Sequence, residues 1–181
     1  MKLMFASDIH GSLSGCERVI DAFERERPEK LVLVGDILYH GPRNPLPERY
    51  SPAEVAAALN SMKDKIICVR GNCEAEVDQM MLSFPCLADY SVLWADGTEI
   101  FVTHGHLWEP ESIPNAAKGS VVVSGHTHIW KAYTKNGISY INTGSASLPK
   151  EGNPPTYALY RDGEFSVKCF DGKALGTLHL K

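Results

Sequence analysis

Leu31-Val32-Leu33-Val34-Gly35-Asp36 is an unbroken apolar run that stops at a glycine and then a carboxylate. Four aliphatic residues without polar alternation read as a strand covered on both faces, the state of a strand inside an α/β or layered sheet. Gly35 lets the chain turn sharply at the strand end and presents Asp36 just outside the sheet, where ligand sites collect. The same pattern recurs four times. Lys2 to Ala6 leads to Asp8 and His10, Ile66 to Val69 to Gly71-Asn72, Glu99 to Val102 to His104, and Ser120 to Val123 to Gly125-His126-Thr127-His128. A single Asp or His at a strand end is ordinarily solvated or bonded to backbone. Here five of the seven histidines (His10, His104, His106, His126 and His128) sit at strand ends beside acids and an amide, and that accumulation points to a shared ligand.

The rest of the chain is built around these strands. Ser14-Gly15-Cys16-Glu17 has capping-box spacing, and Leu13, Cys16, Val19, Ile20 and Phe23 recur at helical intervals, which predicts a helix from about Leu13 to Arg27 ended by Pro28. Gly41 to Arg49 holds Pro42, Pro45 and Pro47 and is expected to be an irregular loop. Ser51-Pro52-Ala53-Glu54 opens a second, short helix through Met62, with Val55, Ala56, Leu59 and Met62 on its apolar stripe. Beyond Asn72 the character changes to short β-type runs at Tyr90 to Trp94, Glu99 to Val102, Ile138 to Asn142, Tyr157 to Tyr160 and Phe165 to Phe170. Asp96-Gly97, Asn136-Gly137, Asp162-Gly163 and Asp171-Gly172 stand where hairpin turns belong. With no repeat, low-complexity tract or linker, residues 1–181 are expected to form a single layered α/β domain.

The 181 residues can bury roughly 70% of their unfolded surface without disulfides, and 44% hydrophobic with 22% charged residues is an ordinary globular balance. A formal net charge of −4 supplies no basic field for a long nucleic acid, whereas a small phosphate ester drawn to local cations remains compatible. Cys16, Cys68, Cys73, Cys86 and Cys169 are odd in number and contain no C-x-x-C pair, so neither a disulfide framework nor a zinc ribbon is indicated. The reducing cytoplasm is the expected compartment. The apolar stretch after Met1 is too short for a signal sequence and no run reaches membrane-spanning length, so no membrane partner is expected. A homo-oligomer is left open, a symmetric dimer being the commonest arrangement.

Two Asp, one Asn and at least four His form a donor set suited to hard or borderline divalent cations. Seven such donors exceed what one octahedral ion takes from protein. Two ions sharing Asp36 as a bridging carboxylate fit better, roughly 3.5–4 Å apart with a bridging water between them. Such a pair supplies hydroxide near neutral pH and stabilises phosphoryl oxygens during in-line displacement.

Asp8-Ile9-His10, Gly35-Asp36, Gly71-Asn72-Cys73-Glu74, His104-Gly105 and Gly125-His126-Thr127-His128, in that order, resemble the signature blocks of the calcineurin-like metallophosphoesterases, in particular their small single-domain bacterial and archaeal branch. The blocks cover about two thirds of the chain. The resemblance implies two packed mixed β-sheets flanked by helices, an αββα sandwich. It further implies one metal held by Asp8, His10, Asp36 and His128 and another by Asp36, Asn72, His104 and His126, with Asn72, Cys73 and His104 at the reacting centre. The implied activity is a manganese-using hydrolysis of small phosphodiesters, and the same donors accept zinc, iron, cobalt or nickel. One block departs from the pattern, because many relatives carry histidine where this chain has Cys73. That histidine is the usual candidate for protonating the leaving group or bonding a phosphoryl oxygen. A thiol is a weak donor with a reference pKa near 8.5 and cannot replace imidazolium as an acid. Cys73 is therefore expected to point into the pocket as neither metal ligand nor covalent nucleophile, with diesters of good leaving groups favoured; the alternative is a small buried apolar residue.

Other residues carry two readings each. His106 is either a donor behind the ligands or a coordinating residue, the former being the expectation. His40 and Arg43 either reach a substrate phosphate or decorate the proline-rich loop. Asn142-Thr143-Gly144-Ser145 reads as an ordinary turn rather than a phosphate cradle, and Trp108 and Trp130 as packing aromatics rather than a base-stacking platform. Alternatives to the diesterase are a phosphomonoesterase on the same site and a non-catalytic protein-binding module on the same fold.

Overall fold

A computed structural model describes residues 1–113 and 116–180. In chain order the elements are β1 (Lys2–Ala6), α1 (Leu13–Glu26), β2 (Lys30–Leu33), α2 (Pro52–Asn60), β3 (Ile66–Cys68), α3 (Glu76–Met81), β4 (Tyr90–Ala95), β5 (Thr98–Thr103), β6 (Val121–Ser124), β7 (Lys131–Lys135), β8 (Ile138–Asn142), β9 (Thr156–Arg161), β10 (Glu164–Cys169) and β11 (Ala174–His179), with short 3-10 turns at Lys63–Lys65 and Pro110–Ser112.

The run that begins at Leu31 is buried on both faces, as its composition requires. Leu31 and Leu33 enter a core shared with α1 and α2 through Cys16, Val19, Ala22, Val55 and Leu59. Val32 and Val34 face the opposite way, into a core that joins Phe5, Val102, Val121, Val123 and Ile141. The two cores are the helix–sheet and sheet–sheet layers. In the first sheet the order is β11-β10-β9-β1-β2-β3, with β1, β2 and β3 parallel and β9 to β11 joined antiparallel on the other side of β1. In the second it is β4-β5-β6-β8-β7, where β5, β6 and β8 are parallel and the edge strands β4 and β7 antiparallel. On the outer face of the second sheet, Phe101, Val122 and Tyr140 are covered by Ile113, Trp108 and Tyr133. Two mixed sheets with flanking helices are the expected architecture.

Turn chemistry decides the hairpins. Asp96-Gly97, Asn136-Gly137 and Asp162-Gly163 have both central residues at positive φ (50° and 80°, 54° and 81°, 49° and 82°), the conformation that matches strand twist in a two-residue connection. The strands of the β-rich half do not all share one sheet, since β9, β10 and β11 return to the first sheet and close it beside β1.

Local details differ from the sequence reading where capping and edges are concerned. The N-cap of α1 is Ser12, whose Oγ accepts the Gly15 N–H at 3.0 Å, instead of the Ser14 box. Arg27, at φ 51°, terminates that helix before Pro28 is reached. Ser51 makes no side-chain cap bond, and α2 stops at Asn60, two residues short of Met62. The reading also omits α3, β7 and β11. A six-residue helix is too short to show a period, and edge strands such as Lys131–Lys135 keep polar residues toward water.

Candidate metal centre

All six parallel strands end at one place. Asp8 and His10 follow β1, Asp36 follows β2, Asn72 to Glu74 follow β3, His104 and His106 follow β5, His126 and His128 follow β6, and Asn142 to Ser147 follow β8. Two bonds hold the junction: within the first sheet Gly35 O accepts the Asp8 N–H at 3.1 Å, and between the sheets Asp8 Oδ2 accepts the His126 N–H at 3.1 Å. The backbone there is bent sharply. Asp8, His10, Asp36, His126 and His128 all have positive φ, between 52° and 66°, a region that non-glycine residues occupy only where the surroundings impose it, commonly at functional sites. Gly35, at φ 89°, and Gly71 pack against each other so closely that a Cβ on Gly35 would lie 2.5 Å from the Gly71 nitrogen, and one on Gly71 would overlap Asp36 Oδ1.

Three imidazoles are oriented alike. Nδ1 of His10 donates to Tyr39 O at 2.9 Å, that of His104 to Val34 O at 2.7 Å and that of His128 to Leu148 O at 2.6 Å. A carbonyl only accepts, so the proton belongs on Nδ1 and each neutral ring turns its Nε2 lone pair inward. These inward nitrogens face carboxylates and one another: His10 Nε2 is 3.6 Å from both Asp8 Oδ1 and Asp36 Oδ2, His104 Nε2 is 3.4 Å from Asp36 Oδ2, His128 Nε2 is 3.2 Å from Asp8 Oδ1, and His10 and His128 meet Nε2 to Nε2 at 3.1 Å. Asp8 Oδ1 and His104 Nε2 are buried with no hydrogen-bond partner. Lone pairs aimed at lone pairs in a buried site repel unless protons or cations stand between them, so the donor set fits divalent metal. Three triads, Asp8 with His10 and His128, Asp8 with Asp36 and His104, and His10 with Asp36 and Cys73, each bring three donor atoms within 4.8 Å.

Electrostatics follow from this crowding. Burial raises the Asp8 carboxyl, but the imidazoles of His10 and His128 close beside it outweigh this and hold the group well below the usual carboxylate range. Burial likewise opposes a charged His104, yet Asp36 and Asp8 push its pKa up to about 9. His104 is therefore protonated at pH 7, and a cation taken up at its Nε2 would displace that proton. Metal affinity is expected to rise about ten-fold per pH unit as pH climbs toward 9 and to level off above it. Titration calorimetry in two buffers of different ionisation enthalpy checks this; no proton release at pH 7 would contradict it.

The remaining expected residues stand in the adjoining cleft, about 490 Å³, lined by Asp36, Asn72, Cys73, His126 and His128 together with Arg43 and Lys150. The His126 ring sits edge-on to His104 at 5.1 Å, outside the three triads. Asn72 is exposed and its amide donates to Cys73 Sγ at 3.3 Å. Cys73 points into the cleft, and its thiol is pushed far up by burial and the Asp36 charge, so it stays protonated. His106 packs 5.4 Å from His104, outside the triads, and burial with the neighbouring His104 and His126 lowers it to about 4, a neutral ring. His40 is wedged between Tyr39 and Tyr50 and does not line the cleft, whereas Arg43 does. The Asn142 to Ser145 turn braces the site from behind: Ser145 Oγ donates to Asp8 O at 2.8 Å, and Asn142 Nδ2 to Gly125 O at 2.7 Å. Trp108 packs on Tyr90, and Trp130 donates its Nε1 hydrogen to Asn153 Oδ1.

Two contributors were not singled out in the sequence. Lys150 reaches the cleft from a distant loop. Glu74, buried, accepts the N–H of Asp36 at 2.9 Å, of Ile37 at 2.7 Å and of Gly71, so one carboxylate pins the peptide that carries Asp36 to the loop that carries Asn72. Burial and the Asp36 charge push Glu74 up to about 7. The only sequence signal was an acid two residues after Asn72.

Among the described residues no helix is long and apolar enough to cross a membrane. The chain is 47% identical to phosphodiesterase YfcE of Escherichia coli K12 over 175 residues, 97% of this chain and 95% of the relative. Its structure superposes on that of the E. coli phosphoesterase Yfce with a TM-score of 0.97 at 45% identity, covering both chains fully. More distant structures share the fold alone: an archaeal phosphodiesterase (TM-score 0.66, 20% identity, 99% of this chain and all of that one) and Vps29 of Chaetomium thermophilum (TM-score 0.64, 13% identity, 99% of each). Residues 1–162 match the family model of the calcineurin-like phosphoesterase superfamily domain, and with that match and a relative at nearly half identity over almost its whole length, this chain belongs to the calcineurin-like phosphoesterase superfamily.

Proposed function

We propose that the protein is a metal-dependent phosphodiesterase acting on small diesters at a dinuclear centre. The observation that carries this reading is the convergence of three inward-facing Nε2 atoms on two buried carboxylates, with Asp36 Oδ2 standing between His10 and His104. Asp8, His10, Asp36 and His128 would hold one ion, and Asp36, Asn72, His104 and His126 the other; manganese is the ion we favour. When bound, the two ions supply positive charge against phosphoryl oxygens and a nucleophile from water near neutral pH.

The chain's own residues do the rest. The carbonyls of Tyr39, Val34 and Leu148 keep the proton of each imidazole on Nδ1, so no side-chain rotation is needed to present Nε2. Arg43 and Lys150, on the cleft wall, offer cations to the anionic diester and compensate locally for the chain's acidic balance. Cys73 contributes a neutral, short side chain beside the reacting centre and supplies no acid, so departure of the alcohol depends on its own acidity. Diesters with acidic leaving groups should accordingly be the better substrates. The 47% identical relative named a phosphodiesterase supports the diester over the monoester reading.

The decisive test strips the protein of metal and assays paired nitrophenyl diester and monoester substrates after adding back manganese, zinc, iron, cobalt or nickel singly. Metal-restored diester turnover is the expected result; activity unaffected by chelation, or confined to monoesters, would overturn the reading. Cys73→Ala should retain diester turnover within about ten-fold, because the thiol, although within reach of His10 and Asp36, is held protonated and so serves as neither ligand nor acid. Loss of all turnover with both ions still bound would give Cys73 a direct catalytic role.

A further inference from the structure

A second cavity, of about 280 Å³, adjoins the metal cleft and is lined by Leu38, Tyr39, Tyr50, Cys73, Val77 and Met81. Cys73 belongs to the walls of both spaces, so a small thiol is what stands between the polar cleft and this apolar recess. The rim is unusual for a surface: Tyr39, Val77 and Met81 are 42%, 61% and 43% exposed, grouped within one cavity. Contiguous exposed apolar side chains beside a reacting centre mark a surface that a ligand covers. The charged side chain in the lining, Asp78, is committed elsewhere, since its carboxylate accepts the Ala75 N–H at 2.8 Å at the start of α3.

We infer that this recess is a subsite for one ester arm of the substrate, and that the arm is an aryl group. The inference rests on the phosphodiesterase reading and names the substrate class it takes. A diester anion held at the metal cleft has its phosphoryl group among cations and imidazoles, and an arm leaving that group past Cys73 enters apolar surroundings. A single aromatic ring suits the recess, and the ring planes of Tyr39 and Tyr50 offer edge or face contacts to it. A nucleobase, which needs hydrogen-bonding partners along its edge, suits it less.

The test compares phenylphosphonate with methylphosphonate, by calorimetric binding to the manganese-loaded protein and by competition against bis(p-nitrophenyl) phosphate turnover. Phenylphosphonate should bind about ten-fold or more tightly, from burial of the ring. The double variant Val77→Thr/Met81→Gln, near-isosteric, uncharged and on exposed positions, should lose most of that preference while binding methylphosphonate as before. Met80→Gln, on the same helix but outside the cavity lining and 85% exposed, should keep it. Equal binding of the two phosphonates, a preference that persists in the double variant, or tighter binding of thymidine 5′-monophosphate than of phenylphosphonate would overturn the subsite. Turnover of the diester with no phosphonate discrimination removes the subsite alone; no diester turnover by the loaded wild type removes the phosphodiesterase reading and the subsite with it.

Discussion

Asp36→Ala should lower diester turnover by about three orders of magnitude or more and leave fewer than two ions per chain. No other side chain in the site has its position. Asp36 Oδ2 faces His10 at 3.6 Å and His104 at 3.4 Å, and Oδ1 accepts the Cys73 N–H at 2.9 Å, so one carboxylate touches both halves of the donor set and the loop beside them. Removing it also leaves His104 buried without the partner that holds its pKa near 9. Asp36→Asn separates the electrostatic role from the architectural one. The amide keeps its size and an acceptor for the Cys73 N–H, so the melting temperature should stay within a few degrees while activity falls nearly as far as in the alanine variant. Steady-state kinetics beside metal counting by plasma mass spectrometry gives both readouts. An Asp36→Asn enzyme with two ions and activity within ten-fold of wild type would show that the carboxylate is not shared.

The second large effect is on stability. Glu74→Ala should destabilise the metal-free protein by about 3–5 kcal/mol, since it strands three backbone N–H groups in a buried junction. In a chain of this size that corresponds to a fall in melting temperature of about 10–15 °C. Glu74→Gln should cost less, because one amide oxygen can still accept at the shared position while the amide hydrogens face the Ile37 N–H. Both variants should bind metal about 10- to 100-fold more weakly, as expected for a residue that positions a ligand without touching the ion. Thermal denaturation with chelator and with manganese measures the two effects separately. A melting temperature within about 2 °C of wild type for Glu74→Ala would mean that water satisfies those donors.

Much of the architecture was legible in the chain because it rests on local chemistry. The aliphatic run at Leu31 could only be a strand buried twice over, and it divides its side chains between two cores as required. Asp-Gly and Asn-Gly pairs specify hairpins because they tolerate positive φ, and three of them adopt it at both positions. Where local signals competed, sequence reasoning slipped. Ser12 and Ser14 both offer a cap hydroxyl to α1, and the bridge from Ser12 to Tyr50, a contact 38 residues away, favours the first. Lys131–Lys135 and Ala174–His179 are strands because neighbours pair with them, not because their own pattern is strong.

By itself, the sequence determined that a donor set of Asp, Asn and His stands at the ends of buried strands and that a covered sheet lies beneath it, because burial period and strand-end position depend on residues close in the chain. Only the tertiary structure decided that six parallel strands from two sheets end at one point, that Glu74 pins the Asp36 peptide, that Lys150 reaches the cleft and that Cys73 divides a polar space from an apolar one. Those facts depend on contacts between residues far apart in the chain, and on candidate ligand residues bent into the left-handed region, which the packing of two sheets imposes and no local preference encodes.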